Sequence, residues 1–175
     1  MRILFASFVF LSVLAASPAR AANIEVDIPS QRMKVRTAAG ELLVWPVSTA
    51  ARGFVTPTGV YRPYQLQKMH YSKKYNMAPM PHSIFFHEGY AIHGASAVGQ
   101  LGRPASHGCI RLAPAHAARL FSIVKLEGAA ITIHDAASRA KADAAFVQAL
   151  ATAPLRTDEA AAPARDGWAL RASSP

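Results

Sequence analysis

The sequence has few charged residues and a single cysteine, and both scarcities exclude several classes of protein. Charged residues make up 17% of the 175 residues and apolar residues 51%, so the chain is neither a polyelectrolyte nor a coiled coil. One cysteine can form no intramolecular disulfide, no four-cysteine zinc finger and no iron–sulfur site. The length predicts one domain, with or without a tail.

The sequence also has no apolar run of the ~20 residues that a membrane-spanning helix requires. Arg2 precedes an uncharged apolar run at residues 3–16, and residues 19–21 fit an A-x-A cleavage site. We therefore expect residues 1–21 to be a cleaved signal peptide rather than a transmembrane anchor. The mature protein is then periplasmic or secreted, without a membrane anchor. The net charge before cleavage is +9, and the basic residues are scattered along the chain. For an exported protein, this charge predicts binding to anionic envelope polymers and not to nucleic acid.

The alternation of apolar and polar residues predicts a mainly β domain over residues 22–135. Ile24, Val26 and Ile28 alternate with polar residues, as in a strand with one buried face. Residues 38–41 read as a hairpin turn. Further strands are predicted at residues 33–35, 42–47, 60–66, 83–86, 90–92 and 130–133.

Three other segments break this pattern. Residues 70–81 are polar and contain Tyr and Met, and we interpret them as an excursion or lid. A helix is predicted over about residues 114–126, because proline suits its first position and apolar residues recur at helical spacing. Residues 136–175 form an Ala-rich C-terminal tail, in which residues 140–151 favour a helix. Past Thr152 we expect disorder or loose docking.

The only cysteine has neighbours typical of a nucleophile. Cys109 follows His107 and Gly108, while Arg111 and the upstream His93 lie near it in sequence or in the predicted fold. A histidine base and nearby cations are expected to raise the thiolate fraction near neutral pH. The amides of residues 107–109 are expected to converge on an oxyanion. The alternative is a buried hydrophobic cysteine, which the flanking polar residues disfavour.

The segments at residues 92–94 (IHG) and 101–112 (LGRPASHGCIRL) resemble the catalytic domain of L,D-transpeptidases of the YkuD type. Three further segments also resemble this family, at residues 30–33, 45–49 and 56–59, the last being a TPTG turn. Together the resemblance covers roughly residues 24–134. It implies an L,D-transpeptidase-like β-sandwich or barrel with one packed α-helix after the catalytic cysteine.

The resemblance also implies a role for each residue of the motif. Cys109 matches the nucleophile, and His93 matches the general base, whose ring we expect the carbonyl of Gly94 to orient. Arg111 matches a position that places substrate. No cofactor and no metal are implied. The residues that match the oxyanion hole and its support are His107, Gly108, Gly94 and Ser106.

The reaction implied by the resemblance is acyl transfer on peptidoglycan stem tetrapeptides. The thiolate attacks the carbonyl of the third stem residue, usually diaminopimelate, and expels the terminal D-Ala. An amine then resolves the thioester, which gives a 3→3 cross-link or anchors a protein; water as the acceptor would give an L,D-carboxypeptidase. β-Lactams of the carbapenem type are the expected covalent inhibitors.

Two other functions stay open from the residues alone. A zinc hydrolase would use His93, His107 and Cys109 as ligands, although no HExxH motif accompanies them. A non-catalytic wall-binding module would keep the fold without the chemistry. His82 and His87 fit no motif, and we interpret both as surface or packed histidines, with a position lining the donor groove as the alternative for His82.

Overall fold

The computed structural model describes residues 21–152, which form nine strands in two sheets and two α-helices. Nearly all of the predicted signal peptide, and the predicted tail past Thr152, lie outside the described residues. The strands are β1 Ala22–Asp27, β2 Arg32–Arg36, β3 Leu42–Pro46, β4 Gly59–Tyr61, β5 Gln65–Ser72, β6 Ala78–His87, β7 Tyr90–Gly94, β8 Ile110–Leu112 and β9 Ala129–His134; the helices are α1 Pro114–Glu127 and α2 Ala136–Thr152.

The first sheet has the order β3-β2-β1-β9-β4. Its central strands follow the predicted alternation, since Ile24 and Val26 on β1 and Ile131 on β9 are buried while the residues between them are more exposed. β1 and β9 run parallel, with Ile24 opposite Ile131. The N-terminal strand of the described chain is thereby joined to the last one.

The second sheet, with the order β5-β6-β7-β8, positions the candidate site. β7 and β8 run parallel, and this pairing places His93 directly opposite Arg111. Helix α1 packs on β6 and β7 and buries Ala117, Leu120 and Val124. Its start at Pro114 was predicted. Burial of Leu120 and of Val124 contributes ~1.5–3 kcal/mol each to folding.

The prediction of one strand over residues 60–66 is wrong. The structure divides that segment between β4, which pairs with β9 in the first sheet, and β5, which pairs with β6 in the second. Pro63 lies between the two strands. Because proline has no N–H to donate to a ladder, it marks the place where the chain leaves one sheet for the other.

The prediction of an excursion over residues 70–81 is also wrong, because these residues extend a β-hairpin. Ser72 pairs with Ala78, and Pro79 and Pro81 are both paired with residues of β5. β5 is an edge strand with many exposed, polar side chains, and the two prolines lie in β6. Both features conceal the period of two that a half-buried strand would show. At the tip, Asn76 has left-handed backbone (φ 49°), which turns the chain back into β6.

The second helix, α2, begins before the predicted residues 140–151. Asp135 explains the earlier start, because its Oδ1 accepts a hydrogen bond from the amide of Ser138 (2.7 Å), as an N-cap residue does. Residues up to Arg139 belong to one compact unit, and a second unit begins at Ala140. Neither of the two helices in the described residues has the length and apolar content needed to cross a bilayer.

Candidate active site

Cys109 ends the loop that leads into β8 and opens on a cleft of about 330 Å³. Its side chain is half-buried against Met80, Phe85 and Ala91. Several of the residues predicted for the site meet at this cleft. Those lining it include His93, Ser106, His107, Cys109 and Arg111, together with Tyr75 and Met80 from the hairpin.

The hydroxyl of Ser106 fixes the turn before the cysteine. Buried in the loop, it donates a hydrogen bond to the carbonyl of Cys109 (2.6 Å) and accepts one from the amide of Gly108 (3.0 Å). The Gly108 amide, one of the three expected to face an oxyanion, is bonded to the serine in the unliganded protein. The amides of His107 and Cys109 are the members of the predicted set that remain.

Gly108 is required at its position for two separate reasons. Its φ of +126° is barred to most side-chain-bearing residues. A Cβ atom at this position would also lie 2.4 Å from Cε1 of Tyr90 and 2.7 Å from the carbonyl oxygen of Val55. The carbonyl of Gly108 accepts a hydrogen bond from the hydroxyl of Thr56 (2.9 Å). This bond joins the TPTG turn to the loop that carries the nucleophile.

Gly108→Ala is expected to lower the free energy of unfolding by about 2–4 kcal/mol, the sum of backbone strain and overpacking. The alkylation rate of Cys109 should change with it, because the turn must move. Denaturant unfolding and iodoacetamide kinetics measure the two effects. Gly102→Ala is the matched control, since Gly102 has φ +87° but open space around its Cα. If both variants lose the same stability, the close contact contributes nothing.

His93 is buried on β7, only 6% exposed, and its ring is held by the backbone. As expected from the sequence, its Nδ1 lies 2.8 Å from the carbonyl oxygen of Gly94. A carbonyl only accepts, so Nδ1 carries the proton and Nε2 of the neutral ring is left as the base. No carboxylate is needed to select this tautomer.

Burial controls the charge state of the pair formed by His93 and Cys109. It lowers the pKa of His93 to about 4, against the opposing effect of the hydrogen bond to Gly94. It also raises the pKa of the Cys109 thiol, although a backbone hydrogen bond with Ala91 and the charge of Arg111 act in the opposite direction. Both directions favour the neutral thiol and the neutral imidazole in the unliganded protein, and not the higher thiolate fraction expected from the sequence.

Alkylation of Cys109 by iodoacetamide is expected to be slow near pH 7 and to rise with an apparent pKa above the ~8.5 of an ordinary thiol. The direction follows from burial, which disfavours the thiolate. Arg111→Met should move the apparent pKa further up, because Arg111 is a cation that lowers it. An alkylation rate that is already constant below about pH 7 would contradict this and would indicate a thiolate–imidazolium pair.

Arg111 and Cys109 are two residues apart and line the same cleft, as side-chain alternation along a strand requires. The neighbours of Arg111, Ile110 and Leu112, are fully buried in the core. The guanidinium Nη1 donates to Oε1 of Gln100 and to the carbonyl of Ala105, both at 3.2 Å. Both acceptors are neutral.

The imidazole of His107 is enclosed by two aromatic rings that the sequence did not single out. It stacks on Tyr75 from the hairpin (4.7 Å between centroids, 21° between planes) and meets the edge of Phe54 (4.4 Å). Tyr75 was visible only as an aromatic residue in a polar segment. These contacts hold the His107 ring against the hairpin at the edge of the cleft.

Comparison with known proteins connects this arrangement to a family. The family model described as the L,D-transpeptidase catalytic domain, YkuD, matches residues 21–133. That match covers more than half of the chain and contains every residue of the cleft. The chain belongs to the L,D-transpeptidase catalytic domain family. No curated protein matches the sequence.

Solved structures show the same L,D-transpeptidase fold. An L,D-transpeptidase from Stackebrandtia nassauensis is 23% identical with a TM-score of 0.58, over 68% of this chain and 58% of that one. One from Mycobacterium smegmatis is 25% identical with a TM-score of 0.57, over 65% and 58%. The L,D-transpeptidase LdtMt1 in complex with imipenem is 22% identical with a TM-score of 0.58, over 65% and 59%. The chain thus spans less than two thirds of each of these proteins.

The L,D-transpeptidase domain does not supply the geometry of the zinc alternative. Within residues 21–152, no group of three His, Cys, Asp or Glu side chains is arranged to hold a metal ion. His107 in particular lies between Phe54 and Tyr75. The set of His93, His107 and Cys109 therefore does not form the ligand cluster that a zinc hydrolase requires.

The two unassigned histidines both pack against aromatic rings away from the cleft of this L,D-transpeptidase domain. His82 meets Phe121 of α1 edge-on (5.6 Å), and it does not line the cleft. His87 lies beside Tyr61 and Tyr90. Their interpretation as packed histidines fits these positions better than a place in the donor groove.

A buried polar network supports the L,D-transpeptidase site from the first sheet. The side chain of Gln31 donates to the hydroxyl of Thr49 (2.6 Å) and accepts from its amide (2.9 Å). The carbonyl of Thr49 in turn accepts from the amides of Ala105 and Ser106, both at 2.9 Å. Gln31 and Thr49 were indicated only by the resemblance, because neutral polar side chains reveal their hydrogen-bond partners only in the fold.

Proposed function

We propose that the protein is an exported cysteine acyltransferase that acts on peptidoglycan stem tetrapeptides. The observation that carries the proposal is that Cys109 and His93 line one cleft of an L,D-transpeptidase domain, with Nδ1 of His93 bonded to the Gly94 carbonyl. The proposed export, to the periplasm or the outside, rests on the N-terminal sequence pattern alone.

The neutral pair determines how the first step proceeds. As Sγ of Cys109 forms its bond to the carbonyl carbon of the third stem residue, the thiol proton passes to Nε2 of His93. The resulting oxyanion is stabilised by the amides of His107 and Cys109. The C–N bond to the terminal D-Ala then breaks, His93 returns the proton to the leaving amine, and a thioester remains on Cys109.

The second step reverses these roles. An acceptor amine attacks the thioester carbonyl and loses a proton to His93, and the C–S bond breaks to restore the thiol. With the amine of a neighbouring stem the product is a 3→3 cross-link, and with a protein amine it is a wall-anchored protein. With water in place of the amine, the same residues release a tripeptide, which is the L,D-carboxypeptidase alternative.

Incubation with defined disaccharide tetrapeptides tests the proposal. Mass spectrometry of the products should show a dimer that has lost one D-Ala, which identifies transpeptidation. Tripeptide alone would assign the carboxypeptidase reaction. Binding of the peptides without any loss of D-Ala would reject the enzymatic function and leave the wall-binding module.

Covalent inhibition by carbapenems belongs to the same proposal. One structure similar to this chain is described as a complex with imipenem. In this protein, Cys109 would open the strained lactam ring through the same proton transfer to His93, and the adduct would add the mass of the intact drug.

A further inference from the structure

The tip of the β5–β6 hairpin holds a lysine next to the cleft. Nζ of Lys74 lies 5.5 Å from the centroid of the Tyr75 ring, a cation–π contact. Tyr75 itself lines the cleft and stacks on His107. This chain of contacts ties the position of the Lys74 ammonium to the wall of the cleft, although the lysine is exposed.

The charge of Lys74 is not neutralised within the described part of the chain. Its ammonium forms no salt bridge and no hydrogen bond with any residue of the range 21–152. Arg111, by contrast, already donates from Nη1 to two protein acceptors. Lys74 is not itself among the residues that line the cleft, but its three N–H donors lie beside the ring of Tyr75, which is.

The cleft itself is complementary to an anion. Its lining contains Arg111, two histidines and neutral residues, but no Asp or Glu. The field of Lys74 reaches the reacting atom, because its charge is one of the effects that lower the pKa of the Cys109 thiol. A partly enclosed cleft with cations and no carboxylate attracts negatively charged groups.

We propose that Lys74 is a specificity-determining residue that binds a carboxylate of the donor stem peptide. The inference rests on the proposed function. A tetrapeptide with diaminopimelate carries two carboxylates close to the bond that is cleaved, one on the terminal D-Ala and one on the side chain of the third residue. An ammonium is a compact charge on a flexible stem and can bind either carboxylate.

Steady-state kinetics with three donors tests the inference: the tetrapeptide, its D-Ala amide and its diaminopimelate amide. For the acid donor, Lys74→Gln is expected to raise KM about 3–10-fold with kcat unchanged, because a contact made equally in ground and transition states is lost. One of the two amides should raise KM for the wild-type protein by a similar factor, and Lys74→Gln should then have no further effect on that donor. This amide identifies the carboxylate that Lys74 binds.

Two variants serve as controls. Lys74→Arg keeps the charge and should retain most of the affinity for the acid donor. Lys73→Gln removes the adjacent exposed lysine and should leave KM unchanged, because within residues 21–152 the cation–π contact with Tyr75 is made by Lys74 and not by Lys73. A denaturant midpoint of Lys74→Gln close to that of the wild type verifies that the fold is intact.

The inference is overturned if Lys74→Gln leaves KM unchanged, or raises it equally for the acid and both amides. It is also overturned if Lys73→Gln has the same effect, because net charge alone would then explain the result. If the wild-type protein processes none of the donors, the proposed function itself fails. If the wild-type protein processes the donors and Lys74→Gln does so with the same KM, the proposed function stands and only the inference about Lys74 fails.

Discussion

Cys109→Ala is expected to reduce D-Ala release from tetrapeptide donors by at least about 10⁴-fold, which is the scale of losing the nucleophile of a catalytic group. The hydroxyl of Ser106 is not free to replace the thiol. The hydroxyl of Ser106, the closest in sequence, is occupied by hydrogen bonds to the Gly108 amide and the Cys109 carbonyl. The rate of D-Ala release, followed by a coupled assay, measures the effect.

The control for this variant is the stability of the fold. Cys109 is half-buried against Met80, Phe85 and Ala91, so its removal leaves a small void, and Cys109→Ser is the variant of nearly equal size. Both should unfold cooperatively at a denaturant midpoint close to that of the wild type. Turnover that survives in both folded variants would remove Cys109 from the nucleophile role.

His93→Ala is expected to lower the rate of acylation by ~10²–10⁴-fold, the usual contribution of a general base. The loss should be large because burial raises the pKa of the Cys109 thiol, so that its attack needs a proton acceptor. Stopped-flow acylation by imipenem measures it. Raising the pH should restore part of the rate, since hydroxide then generates the thiolate that His93 no longer helps to form.

His87→Ala is the control for this prediction, because His87 packs on Tyr61 and Tyr90 and does not line the cleft. It should acylate at the wild-type rate. If His93→Ala acylates normally and only His107→Ala is slow, the roles of the two histidines must be exchanged. In that case the imidazole of His107, which stacks on Tyr75, would be the base.

The parts of the fold that the sequence predicts are those with one buried face. In β1, Ile24 and Val26 alternate with polar residues because one face of the strand lies in the core. In the helix that begins at Pro114, apolar residues recur at helical spacing for the same reason. The hairpin of β5 and β6 escaped prediction for the opposite reason. β5 is an edge strand with little burial, and two prolines lie in β6. Neither feature shows a strand period.

The candidate site divides in the same way. Cys109, His93, Arg111 and Ser106 stand in local motifs of the sequence, and the structure brings all four to one cleft. The directions of the pKa shifts depend on burial by several elements, and spacing alone led to the opposite expectation for the thiol. The bond between the Gly108 amide and Ser106 was likewise a matter of atomic geometry, which a residue pattern does not contain.

Acyl transfer through a thioester on Cys109 is tested by trapping of the acyl-enzyme. Purified protein is mixed with an excess of disaccharide tetrapeptide whose diaminopimelate side-chain amine is acetylated, so that no acceptor amine is present, then quenched in acid and analysed by intact mass and peptide mapping. We expect a burst of one D-Ala per protein and a tripeptide adduct on the peptide that contains Cys109, absent from Cys109→Ser. An adduct on a residue other than Cys109 would contradict a thioester on this cysteine. Unchanged release of D-Ala by Cys109→Ser would contradict it as well.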